Sequence, residues 1–314
     1  MKLKPYLSIE DQIAKLESQG LSIENRRYAS AILLTHSYFS LVNGYGDLLL
    51  KQRHPRVFLD GASFKELLAI FDFDTKLRAQ LIPDILYLED KLKTTCVHAF
   101  LEEKDSNGNF IHFGDAYLKV KNYDVTKAKY AKELIANFNA VTRNAIKNKN
   151  KAFLHYKKEN GYIPLWVLST ALSFGQMSKF YEYLNKTTRD KVASKFNLSE
   201  KQLGTVLKFM NVIRNVCAHN SRLYCVYVPN TLPKTICLGR KAMIIDNFSR
   251  QKFGGTLYCL KASLSAKRFK RIANYIGTGL RSLSKNLHSI DVKMVLREMG
   301  ISAGMLTYFG IKIK

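Results

Sequence analysis

Hydrophobic residues recur at helical spacing through most of the 314-residue chain, and polar capping residues precede several of these stripes. Ser8 forms the pattern of a capping box with Asp11, and Gly20 ends the stripe that follows. Ser63 and Glu66 form a second such pattern ahead of a longer stripe. The apolar positions are Ile9, Ile13 and Leu16 in the first stripe and Leu67, Leu68, Phe71, Leu77 and Leu81 in the second. The pattern predicts a mainly α protein.

Residues that cap or break helices divide the first third of the chain. Ser22 is the expected cap of a second helix, which runs toward a turn at residues 43–46. Pro83 predicts a kink or a division in the long helix, because proline removes a helical N–H and crowds the preceding turn. Helix is expected to resume over residues 84–103. The Asn, Gly and Ser content of residues 104–114 predicts a loop.

Three further helical regions are predicted before residue 222. Residues 126–158 form a Lys-rich helix or a pair of helices, and Gly161 breaks this region. Residues 166–184 form another helix that is interrupted or bent near Gly175. Ser199, with Gln202 three positions later, caps the helix that leads to the most informative segment of the chain.

The character of the chain changes beyond residue 222. Residues 223–228, 236–245 and 256–260 are short runs rich in β-forming residues, which predict a small strand element or an irregular insertion. A basic helix is expected near residues 267–271, and a last helix over residues 292–299.

Charge is distributed unevenly along the chain. The protein has 50 Lys and Arg residues against 25 Asp and Glu, a formal net charge of +25. Residues 1–110 contain 14 basic and 15 acidic side chains, whereas residues 111–314 contain 36 and 10. A balanced N-terminal third joined to a cationic remainder indicates a scaffold with a surface for a polyanion. A solvated basic face is the simpler alternative, but this charge density causes self-repulsion unless a partner relieves it.

Neither a membrane span nor a metal site is expected. No apolar run approaches the ~20 residues needed to span a bilayer, and the first residues lack a signal-peptide core. The five cysteines form no CxxC pair, and the scattered histidines lack ligand spacing, so the sequence predicts a reduced, cytoplasmic protein without metal or other cofactor. The scattered histidines are His36, His54, His98, His112, His155 and His288.

Residues 214–222 (RNVCAHNSR) combine two guanidinium groups, an imidazole and two amides directly after a helical stripe. Asn215 and His219 are four positions apart and share a helix face, so the amide can hold the imidazole or a ribose hydroxyl. Arg214 is five positions before His219, about 140° away at helical pitch. A long guanidinium can reach around the helix, or the helix can loosen before His219.

These residue types suit RNA cleavage by attack of the 2′-hydroxyl group. A histidine, whose ordinary pKa is near ~6.5, can move protons between the 2′-hydroxyl and the leaving oxygen. Arg214 can stabilise the phosphorane charge, and Asn215 can orient the imidazole. No metal is required, and a symmetric dimer with two motifs would supply both an acid and a base. The alternative is a surface arginine beside a capping or core histidine.

At these residues the chain resembles the abortive-infection (Abi) family of bacterial phage-defence proteins, the AbiD/AbiF-like group, whose members carry a HEPN-type domain. The resemblance covers most of residues 4–222 and extends to the last predicted helix. Several spaced blocks occur in the family's order: KPYLS at 4–8, QGL at 19–21, YFSLVNGY at 38–45, FD at 73–74, LR at 77–78, LE at 88–89, PLWV at 164–167, LSFG at 172–175, IRNVCAHNSRL at 213–223 and VLREMGI at 295–301.

The resemblance implies a HEPN-like helical bundle, RNA as substrate or partner, and a homodimer formed through the motif face. It also implies association with a small structured, non-coding RNA, for which the basic region 111–314 offers a surface. One departure concerns regulation: HEPN toxins that a partner nucleotidyltransferase modifies carry Tyr two residues after the histidine, and Ser221 stands here. Modification at that position is therefore not expected.

The sequence divides into three expected regions: N-terminal helices (1–62), a HEPN-like core (63–222) with a basic insertion (about 104–160), and a basic C-terminal region (223–314) with short strands and closing helices.

Two sets of residues are further RNA-binding candidates. Asn220 and Arg222 either contact the scissile phosphate or cap the helix end, and the basic helix offers backbone-phosphate contacts through Lys267, Arg268, Lys270 and Arg271.

Other polar and aromatic residues have structural interpretations. Asp74, Arg78 and Glu89 can form a buried ion-pair network, which is favoured over paired catalytic carboxylates. Aromatic residues at 38, 39 and 45 fit core or turn packing better than base stacking.

Two functions from different classes stay open at this point: a metal-independent endoribonuclease in phage defence, and a non-catalytic RNA-binding protein that uses the same motif. A DNA-binding repressor is a third, without a helix-turn-helix signature in its favour.

Overall fold

The computed structural model describes residues 6–229, 232 and 247–313. These residues are mainly helical, with one short antiparallel hairpin, so the predicted mainly α class is confirmed. The helices are α1 (Ile9–Ser18), α2 (Arg26–Thr35), α3 (Tyr38–Tyr45), α4 (Phe64–Leu101), α5 (Ala128–Lys147), α6 (Lys151–Asn160), α7 (Leu165–Ala171), α8 (Phe174–Tyr183), α9 (Lys186–Ser194), α10 (Glu200–Ala218), α11 (Asn247–Gln251), α12 (Phe253–Ser263), α13 (Ala266–Ser284), α14 (Val292–Glu298) and α15 (Ala303–Phe309). The hairpin pairs β1 (Leu50–Gln52) with β2 (Val57–Phe58), with Leu50 opposite Phe58.

Helix α4 is the central element, against which α3, α7, α8, α9, α10 and α13 pack. The capping boxes predicted for the first two stripes form, Ser8 with Asp11 at α1 and Ser63 with Glu66 at α4. Buried apolar residues then recur three or four positions apart along α4, which is the spacing of one helix face. They include Leu77, Leu81, Ile85, Leu88 and Leu92. Helix α4 therefore brings elements from both halves of the sequence together.

Pro83 lies inside α4, which continues without a break from Phe64 to Leu101. Of the kink or division predicted at this proline, the division is not observed. A proline in a helix interior costs about 3 kcal/mol. The neighbouring Leu81 and Ile85 are fully buried, and burial of each such side chain stabilises the fold by about 1.5–3 kcal/mol. Packing on both sides of Pro83 therefore offsets its local cost.

Two predictions near the N-terminus were also wrong. The cap of α2 is Asn25, whose side chain accepts a hydrogen bond from the N–H of Tyr28. The backbone of Ser22 instead pairs with the segment before α4, where its N–H donates to the carbonyl of Ala62. The turn expected at residues 43–46 is largely helix, because α3 continues to Tyr45 before a 3-10 turn at Gly46–Leu49.

The middle of the chain follows the prediction closely. The Lys-rich region is the pair α5 and α6, and Gly161 adopts the left-handed conformation (φ +76°) that ends α6. The interruption expected near Gly175 falls between α7 and α8, where Ser173 caps the second helix. Helix α10 begins with the predicted Ser199 cap.

The strands predicted after residue 222 are not observed in the described part of this region. Residues 223–228 have no regular secondary structure, which agrees with the irregular insertion predicted as the alternative to strands. Residues 256–260 lie in helix α12. Residues 253–260 of that helix are all buried, so this stretch is apolar without helical periodicity and resembles a strand. Residues 236–245 lie outside the described residues. Helix α14 matches the helix predicted over residues 292–299, but it is not the last helix of the described chain, because α15 follows it.

Buried carboxylates join the C-terminal helices to α4. Glu66 is fully buried and accepts hydrogen bonds from the N–H groups of His288 and Ser289, both at 2.7 Å. Asp84 is also fully buried and pairs with Arg268 and Arg271 of α13. The C-terminal helices are therefore anchored directly on the central helix. Across the described residues, no helix has the length and apolar character needed to cross a bilayer.

Candidate functional site

The predicted motif lies where α10 ends. Ile213, on the inner face of the helix, is fully buried, and Ala218 is the last helical residue. His219 caps the helix, with its N–H donating to the carbonyl of Asn215 at 2.9 Å. Asn220 then adopts a left-handed conformation (φ +57°), and the N–H of Ser221 donates to Val216 at 3.0 Å. This is the six-to-one bond of a Schellman motif, which fixes the backbone around the exposed His219.

A buried network holds the segment that follows His219. Asp74 of α4 is fully buried and accepts hydrogen bonds from the N–H of Leu223 (3.1 Å), the N–H of Tyr224 (2.6 Å) and the hydroxyl of Tyr45 (2.7 Å). Arg78, one turn later on α4, forms an ion pair with the same carboxylate. Burial raises the pKa of the Asp74 carboxyl, and its four hydrogen-bonding partners oppose that rise. The backbone after His219 is thus bonded to α4.

Asn220 and Arg222 add two further attachments. The Oδ1 atom of Asn220 accepts a hydrogen bond from Nη2 of Arg78 at 3.0 Å. Nη1 of Arg222 donates to the carbonyl of Gly44 in α3 at 2.8 Å. A Cβ at position 44 would lie 3.4 Å from Cδ of Arg222, an ordinary van der Waals distance, so the arginine packs directly over this glycine. Both side chains anchor the motif segment in this structure, and their predicted contact with RNA stays a prediction.

A cleft of about 550 Å³ opens beside this segment, within the roughly 300–1,000 Å³ typical of ligand pockets. The motif contributes one wall, and the junction of α2 and α3 contributes the other. The lining residues are Thr35, His36, Ser37, Phe39, Ser40, Asn43, Gly44, Tyr45, Phe71, His219, Asn220, Ser221 and Arg222. Two imidazoles and one guanidinium therefore border the same cavity. Sequence reasoning missed His36, because no local pattern connects it with His219.

Arg214 and Asn215 do not belong to the lining of this cleft. Arg214 faces α4, with its Nε 3.6 Å from Oε2 of Glu89, and its side chain is 29% exposed. Glu89 also pairs with Lys93 at 2.9 Å. Asn215 is exposed on the helix surface. The structure thus brings His219, Asn220 and Arg222 together and places Arg214 on a different face of α10, as the 140° spacing indicates.

The ion-pair network predicted for Asp74, Arg78 and Glu89 exists as two separate parts. Asp74 and Arg78 form a buried pair next to the motif segment, with Arg78 only 4% exposed. Glu89 belongs to the second part, with Lys93 and Arg214.

Cys217 lies inside the motif but is a poor nucleophile. Burial raises the pKa of its thiol to about 12, so the thiolate form is rare at neutral pH. Tyr45 is buried, in keeping with the packing role predicted for it, and this burial raises the pKa of its hydroxyl well above the ordinary tyrosine value. Phe39, in contrast, is 76% exposed and is not a core residue.

The basic cluster of α13 is only partly free for a ligand. Arg268 and Arg271 are three positions apart on one helix face, and both bind Asp84, at 2.8 Å and 2.7 Å. Arg268 also lies over the ring of Tyr87, 3.9 Å from its centroid. Lys267 and Lys270 are exposed. Two of the four predicted RNA contacts therefore join α13 to α4.

The described residues contain no group of three or more His, Cys, Asp or Glu side chains arranged to hold a metal ion. His112, for example, is buried and bonds Glu103 at 2.6 Å, apart from other candidate ligands.

A family model described as Abi-like protein matches residues 31–225, which is more than half of the chain. The matched segment contains every residue that lines the cleft and every member of the buried network around Asp74. No curated protein and no solved structure matches the chain.

Proposed function

The chain belongs to the Abi-like protein family, and on that premise we propose that it is a metal-independent endoribonuclease of the HEPN class. Family membership supports the broader statement, a role in abortive-infection defence against phages. One observation carries the finer proposal. His219 is exposed at the end of α10, on a backbone segment bonded to a buried carboxylate, and it borders a cleft that also contains Arg222.

In the proposed reaction the 2′-hydroxyl of the substrate RNA attacks the adjacent phosphorus. The O2′–P bond forms, the P–O5′ bond breaks, and the products carry a 2′,3′-cyclic phosphate and a 5′-hydroxyl. His219 transfers a proton in this step, and the fixed charges of arginine stabilise the phosphorane. DNA lacks the attacking hydroxyl and is not a substrate.

Arg222 is the proposed phosphorane-stabilising cation within the cleft, whereas Arg214 lies on a different face of α10 and is proposed to reach the substrate across the dimer. Arg222 borders the cleft while one of its Nη atoms holds Gly44. Glu89 faces the Nε edge of Arg214, and the partial exposure of Arg214 leaves its guanidinium accessible to a phosphate. Asn215 is exposed one residue later and lies outside the cleft lining, and we keep for it the proposed role of orienting the imidazole or the ribose.

RNA is the proposed partner as well as the substrate, including a small structured RNA. The Lys-rich pair α5 and α6 supports this proposal, because its solvent-facing side carries basic groups with few acidic ones. The exposed basic residues of this pair and the turn between them are Lys129, Lys132, Arg143, Lys147, Lys149, Lys151, Lys157 and Lys158. Contacts of this kind bind backbone phosphates without reading sequence, and they weaken as salt rises.

A homodimer formed through the motif face is also proposed. Leu34, at the end of α2, is 74% exposed, and Phe39, which borders the cleft, is 76% exposed. Burial of each such side chain in an interface contributes about 1.5–3 kcal/mol. An apolar surface next to the cleft supports a second copy of the chain at this position.

Cleavage assays on purified protein test the enzyme proposal. Single-stranded RNA and DNA of the same sequence are incubated with and without EDTA, and the product ends are identified. We expect cleavage of RNA alone, unaffected by EDTA, with a cyclic phosphate on one product. His219→Ala should lower the rate by about 10²–10⁴ while leaving RNA affinity nearly unchanged.

His98→Ala is the matched control, because its side chain is 67% exposed and lies on α4, away from the cleft. RNA binding without cleavage under any of these conditions would refute the enzyme proposal.

That outcome would favour the second candidate, a non-catalytic RNA-binding protein. The observation in its favour is the separation of Arg214 from the cleft that contains His219. A binding protein needs no common site for these two side chains. In that case His219→Ala and Arg214→Ala should weaken RNA binding itself, with no activity to lose.

A further inference from the structure

We propose that His36 is the second proton-transfer group of the cleft, so that a single chain supplies both an acid and a base. This inference rests on the proposed ribonuclease function and extends it. Transfer of a proton from the 2′-hydroxyl and transfer of another to the leaving oxygen require two groups, whereas the motif contains one imidazole. His36 and His219 border the same cavity of about 550 Å³, although 182 residues of sequence lie between them.

The position of His36 is fixed by its neighbours. It caps α2, with its N–H donating to the carbonyl of Ile32 at 2.8 Å. Its ring packs on Phe71 of α4, with 4.8 Å between the ring centroids. The imidazole is partly exposed and borders the cleft, so it is accessible to a ligand while its ring rests on an apolar support.

Contacts between side chains join the two histidine-bearing segments. Phe71 contacts Tyr45 edge-on, with 5.3 Å between ring centroids. The hydroxyl of Tyr45 donates to Asp74, and Asp74 accepts the N–H groups of Leu223 and Tyr224 after His219. The chain of contacts from His36 to the motif segment therefore passes through the half-buried Phe71 and the buried Tyr45 and Asp74, which hold both walls of the cleft in place.

No other group that lines the described cleft is suited to proton transfer near neutral pH. Arginine side chains are fixed cations and do not transfer protons, which excludes Arg222. Burial raises the pKa of Tyr45, whose proton is already donated to Asp74. The remaining polar lining consists of serine and threonine hydroxyls and asparagine amides, and Asp74 and Arg78 lie behind it. The two imidazoles are thus the acid–base pair that the cleft offers.

The assigned step balances without a further reactant. One neutral imidazole accepts the 2′-hydroxyl proton as the O2′–P bond forms. The other imidazole, protonated, donates its proton to O5′ as the P–O5′ bond breaks. The net charge of the pair is unchanged, and the two histidines have exchanged protonation states.

Four variants test this inference: His36→Ala, His36→Gln, His219→Ala and the control His98→Ala. His98 lies far along α4 from Phe71, roughly 40 Å at about 1.5 Å of rise per residue. Rates on single-stranded RNA are measured from pH 5 to 9. We expect a bell-shaped profile for the unmodified protein. Each substitution at His36 or His219 should lower the maximum rate by about 10²–10⁴ and remove one limb of the bell.

A substrate with sulfur in place of O5′ separates catalysis from folding. A thiolate leaves without a proton, so the variant that lacks the acid should recover cleavage, whereas the variant that lacks the base should not. Recovery by one of the two alanine variants supports the proposal and assigns the roles. Recovery by both or by neither overturns it, as does a His36→Gln variant with the rate and pH profile of His98→Ala.

Failure of the proposed function is distinguishable from failure of this inference. If the unmodified protein does not cleave RNA, both fail. If it cleaves RNA and His219→Ala is inactive, but the His36 variants behave as the control does, only the role of His36 is wrong.

Discussion

Removal of the Tyr45 hydroxyl should loosen the segment that carries His219. This hydroxyl donates to Asp74 at 2.7 Å and accepts from Arg78 at 3.2 Å, and Tyr45 is 2% exposed. A hydrogen bond to a charged group contributes about 1.5–3 kcal/mol, so Tyr45→Phe should lower the free energy of unfolding by that amount. The stacked contact with Tyr224, 5.5 Å between centroids, is retained by phenylalanine.

Tyr117→Phe is the matched control. Tyr117 is also 2% exposed, and its hydroxyl also donates at 2.7 Å, but to the neutral carbonyl of Ile163. Its loss should cost about 0.5–1.5 kcal/mol. Burial raises the pKa of Tyr117 to about 12 and that of Tyr45 further, so both hydroxyls carry their protons at neutral pH and the comparison is between two donors.

Urea unfolding at neutral pH measures both stabilities, and RNA cleavage measures the effect on the site. We expect Tyr45→Phe to lower the cleavage rate roughly tenfold, since a 1 Å displacement of a catalytic group can cost on the order of 10²-fold and the other donors to Asp74 remain. Tyr117→Phe should leave cleavage unchanged. Equal losses of stability and of cleavage in the two variants would refute the special role of the network around Asp74.

Three further predictions concern stability and assembly. Asp84→Asn should lower the free energy of unfolding, measured by urea titration, by about 2–4 kcal/mol, because its charge-assisted bonds to two partly exposed arginines are lost. The control Asp60→Asn, which removes an exposed ion pair, should lower it by under about 1 kcal/mol. Gly254→Ala should lower the free energy of unfolding, measured by thermal unfolding, by more than about 3 kcal/mol, because the new Cβ would lie 2.2 Å from the carbonyl oxygen of Gly300. A smaller loss would mean that α12 shifts freely. Leu34→Glu should convert a dimer to a monomer in analytical ultracentrifugation, and an unchanged mass would contradict the proposed interface.

Local signals predicted the helices well because their causes are local. The capping boxes at Ser8, Ser63 and Ser199 each depend on a residue three positions later, and all three form. The secondary-structure prediction failed where contacts with residues distant in sequence determine the conformation. Pro83 stays within α4 because Leu81 and Ile85 on either side of it are buried. The apolar residues 256–260 form a helix because other elements cover every residue of this stretch of α12.

The site was predictable only in part for the same reason. The motif at 214–222 is visible in sequence, and its residues do end α10 as a compact turn. The other wall of the cleft comes from α2 and α3, and nothing in the sequence around His36 distinguishes it from the other scattered histidines. Likewise, the pairing of Arg268 and Arg271 with a single buried carboxylate required the packing of α13 on α4.

The location of the buried network indicates where activity should reside. The two walls of the cleft and Asp74, which connects them, all lie within the matched segment 31–225. The basic helix α13 lies outside that segment, and two of its four cations neutralise Asp84. Cations that are bound to a buried carboxylate contribute little to a salt-sensitive attraction for phosphate. We therefore expect substitutions of Lys267 and Lys270 to weaken RNA binding modestly, and changes at the cleft to decide whether RNA is cut.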